Sequence, residues 1–458
     1  MARGFVIAGE RSGVGKTSLT LAIVKSLISR GLGVQCFKVG PDFIDPGYHA
    51  AVTGRPPRNL DGWMMGKDQC LNSFEHNSRD VDMAVIEGVM GLFDGYDGLS
   101  EDGSTAQIAK WLNLPVILII DGSSLARSAG AVALGFEVYD RELRIAGIIF
   151  NRVAGENHFR YLCDGVQARC DAKVLGYVLR NSEWVFGERH LGLIMAEESA
   201  DLKFKIASMS RQLEQSVNID EIVSLARPIT QQQFRTVRHK HPESTTIGVA
   251  RDEAFCFYYQ DNLDYLEQQG ARLVFFSPIH DSFLPTGIEG LYVPGGYPEL
   301  YAAALSRNKN MRASIREFCA AGNPVYAECG GLLYLLQNLI DQHGVRHEMV
   351  GLFPAQARML PNLQRLGYVE GEILKNCPFL SEGKKFRGHE FHYSEIEEMP
   401  QQVTRCYRIS GRKSRPVFYE GYSIYNTLAS YIHIHFASNP SIAAEFVAAC
   451  RRAVACRS

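Results

Sequence analysis

The sequence lacks the features of a membrane protein, a nucleic-acid-binding protein or a disulfide-rich protein. Its formal net charge is only −2, so no bulk positive charge is available to hold nucleic acid. No apolar run approaches the roughly 18 residues that a membrane-spanning helix needs. The 11 cysteines include no close C-x-x-C pair, and an odd number with irregular spacing argues against a disulfide framework and a zinc ribbon.

A chain of 458 residues is too long for a single core, so two or three domains are expected. The first four residues lead directly into a strand-like segment and leave no room for a signal peptide, which predicts a cytoplasmic protein. Residues 231–245 contain three consecutive glutamines, a short basic cluster and few apolar residues, which is typical of a linker. We therefore expect an N-terminal domain at 1–230 and a C-terminal domain at 246–458.

A glycine-rich loop at residues 9–17 carries the first functional signal. It lies between a short apolar strand and a helix whose apolar residues fall on one face. In this arrangement backbone N–H groups wrap the phosphates of a nucleotide, the lysine reaches the outer phosphates, and the threonine hydroxyl binds magnesium. The spacing is unusual, because Glu10 stands where the first glycine is expected. The loop residues predicted to bind the nucleotide are Gly13, Gly15, Lys16 and Thr17, with Thr17 also a ligand of Mg²⁺.

Charged side chains follow two further apolar runs. The run 36–39 ends in a loop that carries Lys38, Asp42 and Asp45, and the run 83–86 ends at Glu87. In open α/β sheets, ligand-binding and catalytic residues lie in the loops at the carboxyl ends of the parallel strands. This predicts that Lys38, Asp42 and Asp45 lie at the nucleotide. Turn formation is the alternative for the two aspartates. An acid directly after a buried strand of a P-loop protein faces the magnesium of the nucleotide, and we assign that role to Glu87.

Asp94 lies on a glycine-flanked loop that could reach the reacting group, although a plain turn residue is an equally fair interpretation. Together with Asp42, Asp45 and Glu87, it would surround a γ-phosphate with oxygen atoms that bind metal. That combination of four carboxylates is more specific than any one of them.

Buried strands alternate with helical segments along the first half. The runs 115–121 and 145–152 are almost continuously apolar, as expected for parallel strands covered on both faces, and 174–178 resembles a further strand. The second half begins again with strand-like runs at 246–252 and 272–278. The predicted fold class is α/β with two doubly wound domains, the first built on a P-loop parallel sheet.

The stretch 324–335 organises the second half. An apolar run ends at Cys329, two glycines follow, and a helical apolar pattern resumes at once. This pattern places a nucleophile on a sharp strand-to-helix turn, where the free N–H groups of a helix N-terminus favour a thiolate and later an oxyanion. A cysteine taken alone is most often a small buried hydrophobe, and only this setting singles out Cys329.

A Pro-Gly-Gly turn at 294–296 ends the preceding strand-like run. The N–H groups near Gly296 could supply half of an oxyanion hole, with Gly330 supplying the other half. An ordinary turn would explain the motif as well.

The expected base for Cys329 is a histidine. Residues 431–436 contain His433 and His435, spaced so that both side chains point to the same side of a strand. Alone, the pair could also bind a metal or pack in the core. The polar segment 387–394 would suit an anionic substrate, or it could be a loop followed by an edge strand.

Taken together, these motifs resemble those of one family, the cobyrinic acid a,c-diamide synthases. The first half is similar to dethiobiotin synthetase and its P-loop relatives, and the second half is similar to a class I glutamine amidotransferase of flavodoxin-like fold. The resemblance covers nearly the whole chain. Its matching segments are 9–17, 38–42, 87–95, 251–259, 294–300, 326–335, 387–394 and 430–440.

The resemblance implies a glutamine-dependent amidoligase. Cys329 would attack the amide carbon of glutamine to give a glutamyl thioester and ammonia, with His433 as the helping histidine. Most class I amidotransferases have a glutamate two residues after that histidine, where this chain has His435. A Cys–His dyad is therefore implied, and the group that orients His433 is left open. The N-terminal domain would use Mg-ATP to phosphorylate a carboxylate of a corrin-type macrocycle, with Asp94 among its catalytic residues, and ammonia would displace the phosphate.

Several alternatives stay open. The same chemistry could act on hydrogenobyrinic acid or nickel-sirohydrochlorin, or on other carboxylates as in cobyric acid synthase. A P-loop switch protein of the partitioning type would hydrolyse ATP without amide chemistry, but it leaves Cys329 and His433 unexplained. The expected partners are a cobyrinic acid-type tetrapyrrole, glutamine and ATP, with neither nucleic acid nor a membrane. A homodimer would be unsurprising.

Overall fold

The structure is a computed structural model that describes residues 2–181, 184, 201–230, 245–410 and 416–455, with the backbone of 188–189 and 192–193. The chain divides into two compact units, residues 1–236 and 237–458. The predicted linker lies outside the described residues except for Thr245, which begins a strand. The domain limits 1–230 and 246–458 therefore stay a prediction.

The first unit is an α/β unit. Its described strands are β1 (Arg3–Gly9), β2 (Val34–Val39), β3 (Asn59–Leu60), β4 (Met83–Glu87), β5 (Val116–Asp121), β6 (Ile145–Val153), β7 (Lys173–Leu179), β8 (Glu188–Arg189), β9 (Gly192–Leu193) and β10 (Arg227–Pro228). Its described helices are α1 (Lys16–Ser29), α2 (Asp45–Thr53), α3 (Gly62–Asn77), α4 (Thr105–Leu112), α5 (Ser128–Tyr139), α6 (Glu156–Gln167), α7 (Leu202–Leu213) and α8 (Ile219–Leu225).

The sheet of this unit places β1 at the point where the strand order reverses. The described order is β3-β2-β4-β1-β5-β6-β7, all parallel, with β10 added antiparallel to β1. Every residue of β2, β4 and β5 is buried, and for β5 this confirms the expectation from its almost continuously apolar run. Lys38 lies within β2 and not, as predicted from the sequence, in the loop that follows it, and in this register it stands opposite Glu87 of β4. The loops after β1, β2 and β4 thus meet at one edge, which is where open α/β sheets bind ligands.

The second unit mixes parallel and antiparallel pairing. Its described strands are β11 (Thr245–Ala250), β12 (Ala271–Phe276), β13 (Gly290–Val293), β14 (Val325–Glu328), β15 (Leu336–Ile340), β16 (Arg346–Glu348), β17 (Phe353–Met359), β18 (Arg365–Ile373), β19 (Lys385–His392), β20 (Ser394–Ile396), β21 (Thr404–Ser410), β22 (Phe418–Ile424), β23 (Thr427–Ser430) and β24 (His433–Ile434). Its described helices are α9 (Gln260–Gln268), α10 (Ala302–Arg307), α11 (Lys309–Ala320), α12 (Gly330–Leu335) and α13 (Ser441–Ala455), with a 3-10 turn at Phe436–Ser438.

The main sheet of this unit separates two apolar cores. Among the described residues its order is β12-β11-β13-β14-β23-β22-β21-β18-β19-β24, and the first five strands are parallel. Successive residues of β14 fall on opposite faces, so Tyr326 packs in one core and Ala327 in the other. A sheet covered on both faces confirms the predicted doubly wound α/β class. The antiparallel strands continue this sheet beyond its parallel part.

The apolar runs of the second half are buried in these two cores. None of the described helices is both long enough and apolar enough to cross a bilayer.

Candidate active sites

The glycine-rich loop joins β1 to α1 and has the backbone conformation that glycine permits. Gly13 and Gly15 have φ values of 74° and 93°, and Gly15 directly precedes the first residue of α1. A Cβ on Gly15 would lie 2.4 Å from Nδ2 of Asn151. That amide donates a 2.7 Å hydrogen bond to the carbonyl of Val14 and so holds the loop. The loop therefore presents backbone N–H groups and a helix N-terminus at the same place.

Lys16 is buried at the start of α1, and its ammonium is held by backbone oxygens. It donates to the carbonyl of Arg11 at 3.2 Å and to the carbonyl of Met90. Burial, followed by the neighbouring charge of Lys38, lowers the pKa of Lys16 to about 8. The loop thus already directs this side chain toward the residues that follow β4.

Lys38, Asp45, Thr17 and Glu87 form one buried polar cluster. The ammonium of Lys38 lies 2.6 Å from Oδ2 of Asp45 and 2.9 Å from Oε1 of Glu87. The hydroxyl of Thr17 donates to the same Glu87 oxygen at 2.7 Å and lies 3.3 Å from the Asp45 oxygen. The structure therefore brings together four of the residues that the sequence assigned to the nucleotide and its metal.

Asp42 and Asp94 lie nearby in turns. One Asp42 oxygen accepts from the N–H groups of Ile44 and Asp45, and the other is 4.0 Å from the Lys38 ammonium. Exposed Asp94 accepts a 2.8 Å hydrogen bond from the N–H of Gly91. Both carboxylates thus do what a turn residue does, and Asp42 also faces the cluster.

His49 is a member of this cluster that the sequence did not single out. Its Nε2 lies 2.6 Å from Oε2 of Glu87, and both side chains are almost completely buried. Burial opposes ionisation of Glu87, but Lys38 and His49 outweigh it and lower the pKa of that carboxyl. His49 faces the cluster from α2, so only the packing of that helix against the sheet reveals its role.

The oxygen atoms of this cluster fit a magnesium ion that is shared with a nucleotide. Magnesium prefers oxygen ligands and is held by one or two carboxylates plus substrate phosphates. Thr17 and Glu87 supply a hydroxyl and a carboxylate oxygen 2.7 Å apart. No group of three or more His, Cys, Asp or Glu side chains that could hold a metal occurs within the described part of the chain. A metal here would therefore depend on ligands from the nucleotide.

Cys329 stands on a strained turn between β14 and α12. Its φ of 46° is rare for a residue with a side chain, and strain of this kind is typical of functional sites. The backbone N–H of Cys329 donates to the carbonyl of Ser430 at 2.7 Å, and Sγ lies 4.0 Å from the carbonyl oxygen of Phe391. Burial, followed by the charge of Glu299, raises the pKa of the thiol. A thiol in this environment needs a base in order to become a nucleophile.

Gly296 and Gly330 are brought together beside this turn. A Cβ on Gly330 would lie 2.9 Å from the backbone nitrogen of Gly296, and a Cβ on Gly296 would lie 2.0 Å from the carbonyl oxygen of Ala254. Neither position has space for a side chain. The close approach of the two backbones is what the predicted oxyanion hole requires.

His433 packs its ring against the same glycine turn. A Cβ on Gly295 would lie 2.3 Å from Cε1 and 3.1 Å from Nε2 of His433. The side chain is buried, and desolvation, followed by the charges of His389 and His392, lowers the pKa of His433 to about 3. A neutral imidazole can accept the proton of a thiol.

The strand expected to carry both histidines is shorter than the sequence predicted. β24 contains only His433 and Ile434, and His435 begins the 3-10 turn. Nδ1 of His435 accepts a 3.2 Å hydrogen bond from the N–H of Ala437, and its ring lies 4.6 Å from that of Tyr259. His435 is thus occupied as a helix cap and core residue.

The segment 387–394 forms most of β19, which pairs with β18 and β24, so the loop-and-edge-strand interpretation is wrong. This pairing sets His389 opposite His433 and brings the carbonyl of Phe391 to the thiol. Buried Glu328, immediately before Cys329, also lies near His433, with 3.9 Å between Oε2 and Nδ1. Its position at the end of a buried strand was the one signal available in the sequence.

Comparison with known proteins identifies a known domain family in each half of the chain. The model of the CobQ/CobB/MinD/ParA nucleotide binding domain matches residues 5–190, and that of the CobB/CobQ-like glutamine amidotransferase domain matches residues 246–441. The chain is similar to a protein of Syntrophotalea carbinolica named cobyrinate a,c-diamide synthase, with 43% identity over 97% of this chain and 98% of the relative.

Relatives of the same name occur in other organisms. The protein of Leptospira interrogans serogroup Icterohaemorrhagiae is 42% identical over 98% of each chain. That of Dehalococcoides mccartyi is 40% identical over 96% of this chain and 97% of the relative. The chain therefore belongs to the cobyrinate a,c-diamide synthase family and is a glutamine-dependent amidoligase with a nucleotide-binding domain.

Proposed function

We propose that the protein catalyses the ATP-dependent, glutamine-hydrolysing amidation of the a- and c-carboxylates of cobyrinic acid, in cobalamin biosynthesis. The observation that carries the proposal is strained Cys329 beside the glycine turn that packs on His433, in a chain whose other unit has a glycine-rich loop at the N-terminus of α1. The name shared by the relatives, cobyrinate a,c-diamide synthase, supports the choice of acceptor.

The C-terminal unit would release ammonia from glutamine. His433 takes the proton from Cys329, and the thiolate attacks the amide carbon of glutamine. The N–H groups of Gly296 and Gly330 stabilise the oxyanion of the tetrahedral intermediate. The proton returns from His433 to the leaving nitrogen, ammonia departs, and water then hydrolyses the thioester to glutamate.

The N-terminal unit would activate the acceptor. A carboxylate is unreactive toward ammonia, whereas an acyl phosphate has a good leaving group. The loop N–H groups from Gly13 to Thr17 and the ammonium of Lys16 hold the phosphates of ATP so that a carboxylate oxygen of the macrocycle attacks the γ-phosphorus and ADP leaves. Thr17 and Glu87 would hold Mg²⁺, which supplies positive charge to the transferring group when bound.

The remaining charged residues surround the transferred group. Lys38 supplies a second buried positive charge, and Asp42 and Asp45 keep it in place. Asp94 lies on the loop after β4 and carries negative charge toward Lys16. Ammonia then displaces the phosphate to give the amide, and the cycle repeats at the second carboxylate.

The proposal is tested by incubating the purified protein with Mg-ATP, glutamine and cobyrinic acid and following product mass, glutamate and ADP. Two successive conversions of acid to amide, each with one glutamate and one ADP, are expected. If ATP is consumed while the mass of the macrocycle stays constant, the assigned acceptor is wrong. Parallel reactions with hydrogenobyrinic acid and nickel-sirohydrochlorin then identify the ring that reacts.

A further inference from the structure

Glu328 is a buried carboxylate whose position links the nucleophile to its base. It is the last residue of β14, directly before Cys329, and its side chain is 1% exposed. It points to the core face that also contains Tyr292 and Tyr326. A carboxylate in such a place is retained only when other groups compensate for the loss of water.

Three hydrogen-bond donors hold this carboxylate. The hydroxyl of Tyr292 donates to Oε2 at 2.9 Å, and the hydroxyl of Tyr326 donates to Oε1 at 2.7 Å. The backbone N–H of Ile434 donates to Oε1 at 3.0 Å. Because Ile434 directly follows His433, Glu328 fixes the strand that carries the histidine.

The second oxygen of Glu328 faces the histidine ring. Oε2 lies 3.9 Å from Nδ1 of His433, and the two side chains are 1% and 2% exposed. This separation exceeds a hydrogen bond, but opposite charges at this distance interact strongly where water is excluded. The interaction is therefore small while the imidazole is neutral and grows when the imidazole gains a proton.

We propose that Glu328 is the positioning residue of the glutaminase site, taking over the role that a glutamate two residues after the histidine has in most class I amidotransferases. It holds the backbone beside His433 and stabilises the imidazolium that forms when Cys329 gives up its proton. His435 stands at the usual glutamate position but is committed to its helix cap and to Tyr259. The inference rests on the proposed function, because it assumes that His433 serves Cys329.

Other ionisable groups also face this pair. His389 and His392 approach His433 from β19 and oppose its positive charge. Tyr292, Tyr326 and Tyr407 surround the carboxylate. Burial raises the pKa of Glu328 to about 7, and the tyrosine and backbone donors oppose this rise. A shift in the pH profile of one variant must therefore be compared with that of a matched variant.

The test compares Glu328→Gln with Glu420→Gln. Glu328→Gln keeps an oxygen that can accept from the N–H of Ile434 but removes the negative charge. Glu420 is likewise buried and accepts from the N–H of Tyr431, so its replacement is the matched control. Glutamine hydrolysis is measured as a function of pH, together with amidation driven by ammonium chloride.

For Glu328→Gln we expect kcat for glutamine hydrolysis to fall about 10- to 100-fold, which is part of the effect of a complete general base, with little change in KM. The wild-type rate should rise with pH as the carboxyl of Glu328 ionises, since burial raises its pKa to about 7, and Glu328→Gln should lose this rise because its amide does not titrate. Ammonium-driven amidation and the Glu420→Gln profile stay as in wild type.

The possible outcomes distinguish a failure of this inference from a failure of the proposed function. If the wild-type protein does not hydrolyse glutamine at all, the proposed function is wrong. If it does, and Glu328→Gln keeps the wild-type pH midpoint, the carboxylate does not act on His433 and the inference is overturned. Should Glu328→Gln fail to fold, Tyr292→Phe decides, because loss of that hydroxyl is expected to shift the midpoint through Oε2, and an unchanged midpoint contradicts the inference.

Discussion

The ammonium of Lys38 and the carboxylate of Glu87 lie 2.9 Å apart, with side-chain exposures of 3% and 0%. They stand opposite each other in adjacent parallel strands, so the sheet itself sets this distance. The pair keeps positive charge next to the loop that would hold the phosphates. The ammonium of Lys38 also contacts the carboxylate of Asp45, so removal of the lysine would take away the positive charge that Asp45 and Glu87 share.

Replacement of Lys38 by methionine should destabilise the N-terminal unit by about 3 to 5 kcal/mol, because Asp45 and Glu87 would lose the buried positive charge that both of them contact. Urea unfolding followed by circular dichroism measures this loss. The matched control is Lys173→Met, which breaks a solvent-exposed pair with Glu221 and should hardly change the transition. An unfolding midpoint equal to wild type in Lys38→Met would show that the pair does not support the unit.

Replacement of Gly330 by alanine should abolish glutamine hydrolysis while sparing ammonium-driven amidation. The new Cβ would lie 2.9 Å from the nitrogen of Gly296 and would push apart the two N–H groups assigned to the oxyanion. A loss of about 100-fold or more in kcat is expected, as for removal of an oxyanion-hole donor. Gly135→Ala is the control for adding a methyl group to a helical glycine, since no atom lies within 4 Å of its Cβ. Equal activity of the two variants would contradict the oxyanion assignment.

Buried His435 should make the C-terminal unit less stable in acid. Burial lowers its folded-state pKa to about 3 from an ordinary 6.5, so between these values the unfolded chain binds the additional proton. Stability from this group is present above about pH 6.5 and falls as the pH drops, by about 2 kcal/mol at pH 5.

The measurement is the free energy of unfolding at pH 7 and pH 5 for wild type and His435→Gln. The decline between the two pH values should be smaller in the variant, whatever its stability at pH 7. His343→Gln, at an exposed turn position, should keep the wild-type decline. A decline in His435→Gln as steep as in wild type would show that this histidine is not the cause.

The two loops at the centre of the candidate sites could be predicted from local sequence patterns. The glycines before Lys16 indicate a left-handed backbone, which the structure has at Gly13 and Gly15. The glycines after Cys329 indicate a tight turn, and in the structure neither Gly330 nor Gly331 has space for a side chain. The meeting of Lys38 with Glu87 was also predictable, because parallel strands end at the same edge of a sheet.

Contacts set by long-range pairing were not predictable from the sequence. His49 reaches Glu87 only because α2 packs beside the sheet, and no local pattern marks it. The antiparallel strands β18 to β24 pair across long sequence separations, and their register alone brings His389 opposite His433. The end of the strand at Ile434 likewise depends on the helix cap that His435 forms.

The central claim is that Cys329 supplies ammonia to a synthetase reaction in the other half of the same chain. Its most direct test is Cys329→Ala with Mg-ATP and cobyrinic acid, supplied with either glutamine or ammonium chloride. We predict no amide and no glutamate with glutamine, and amidation at close to the wild-type rate with saturating ammonium. Amide formation from glutamine by the variant, or failure of ammonium to restore it in a folded protein, would contradict the account.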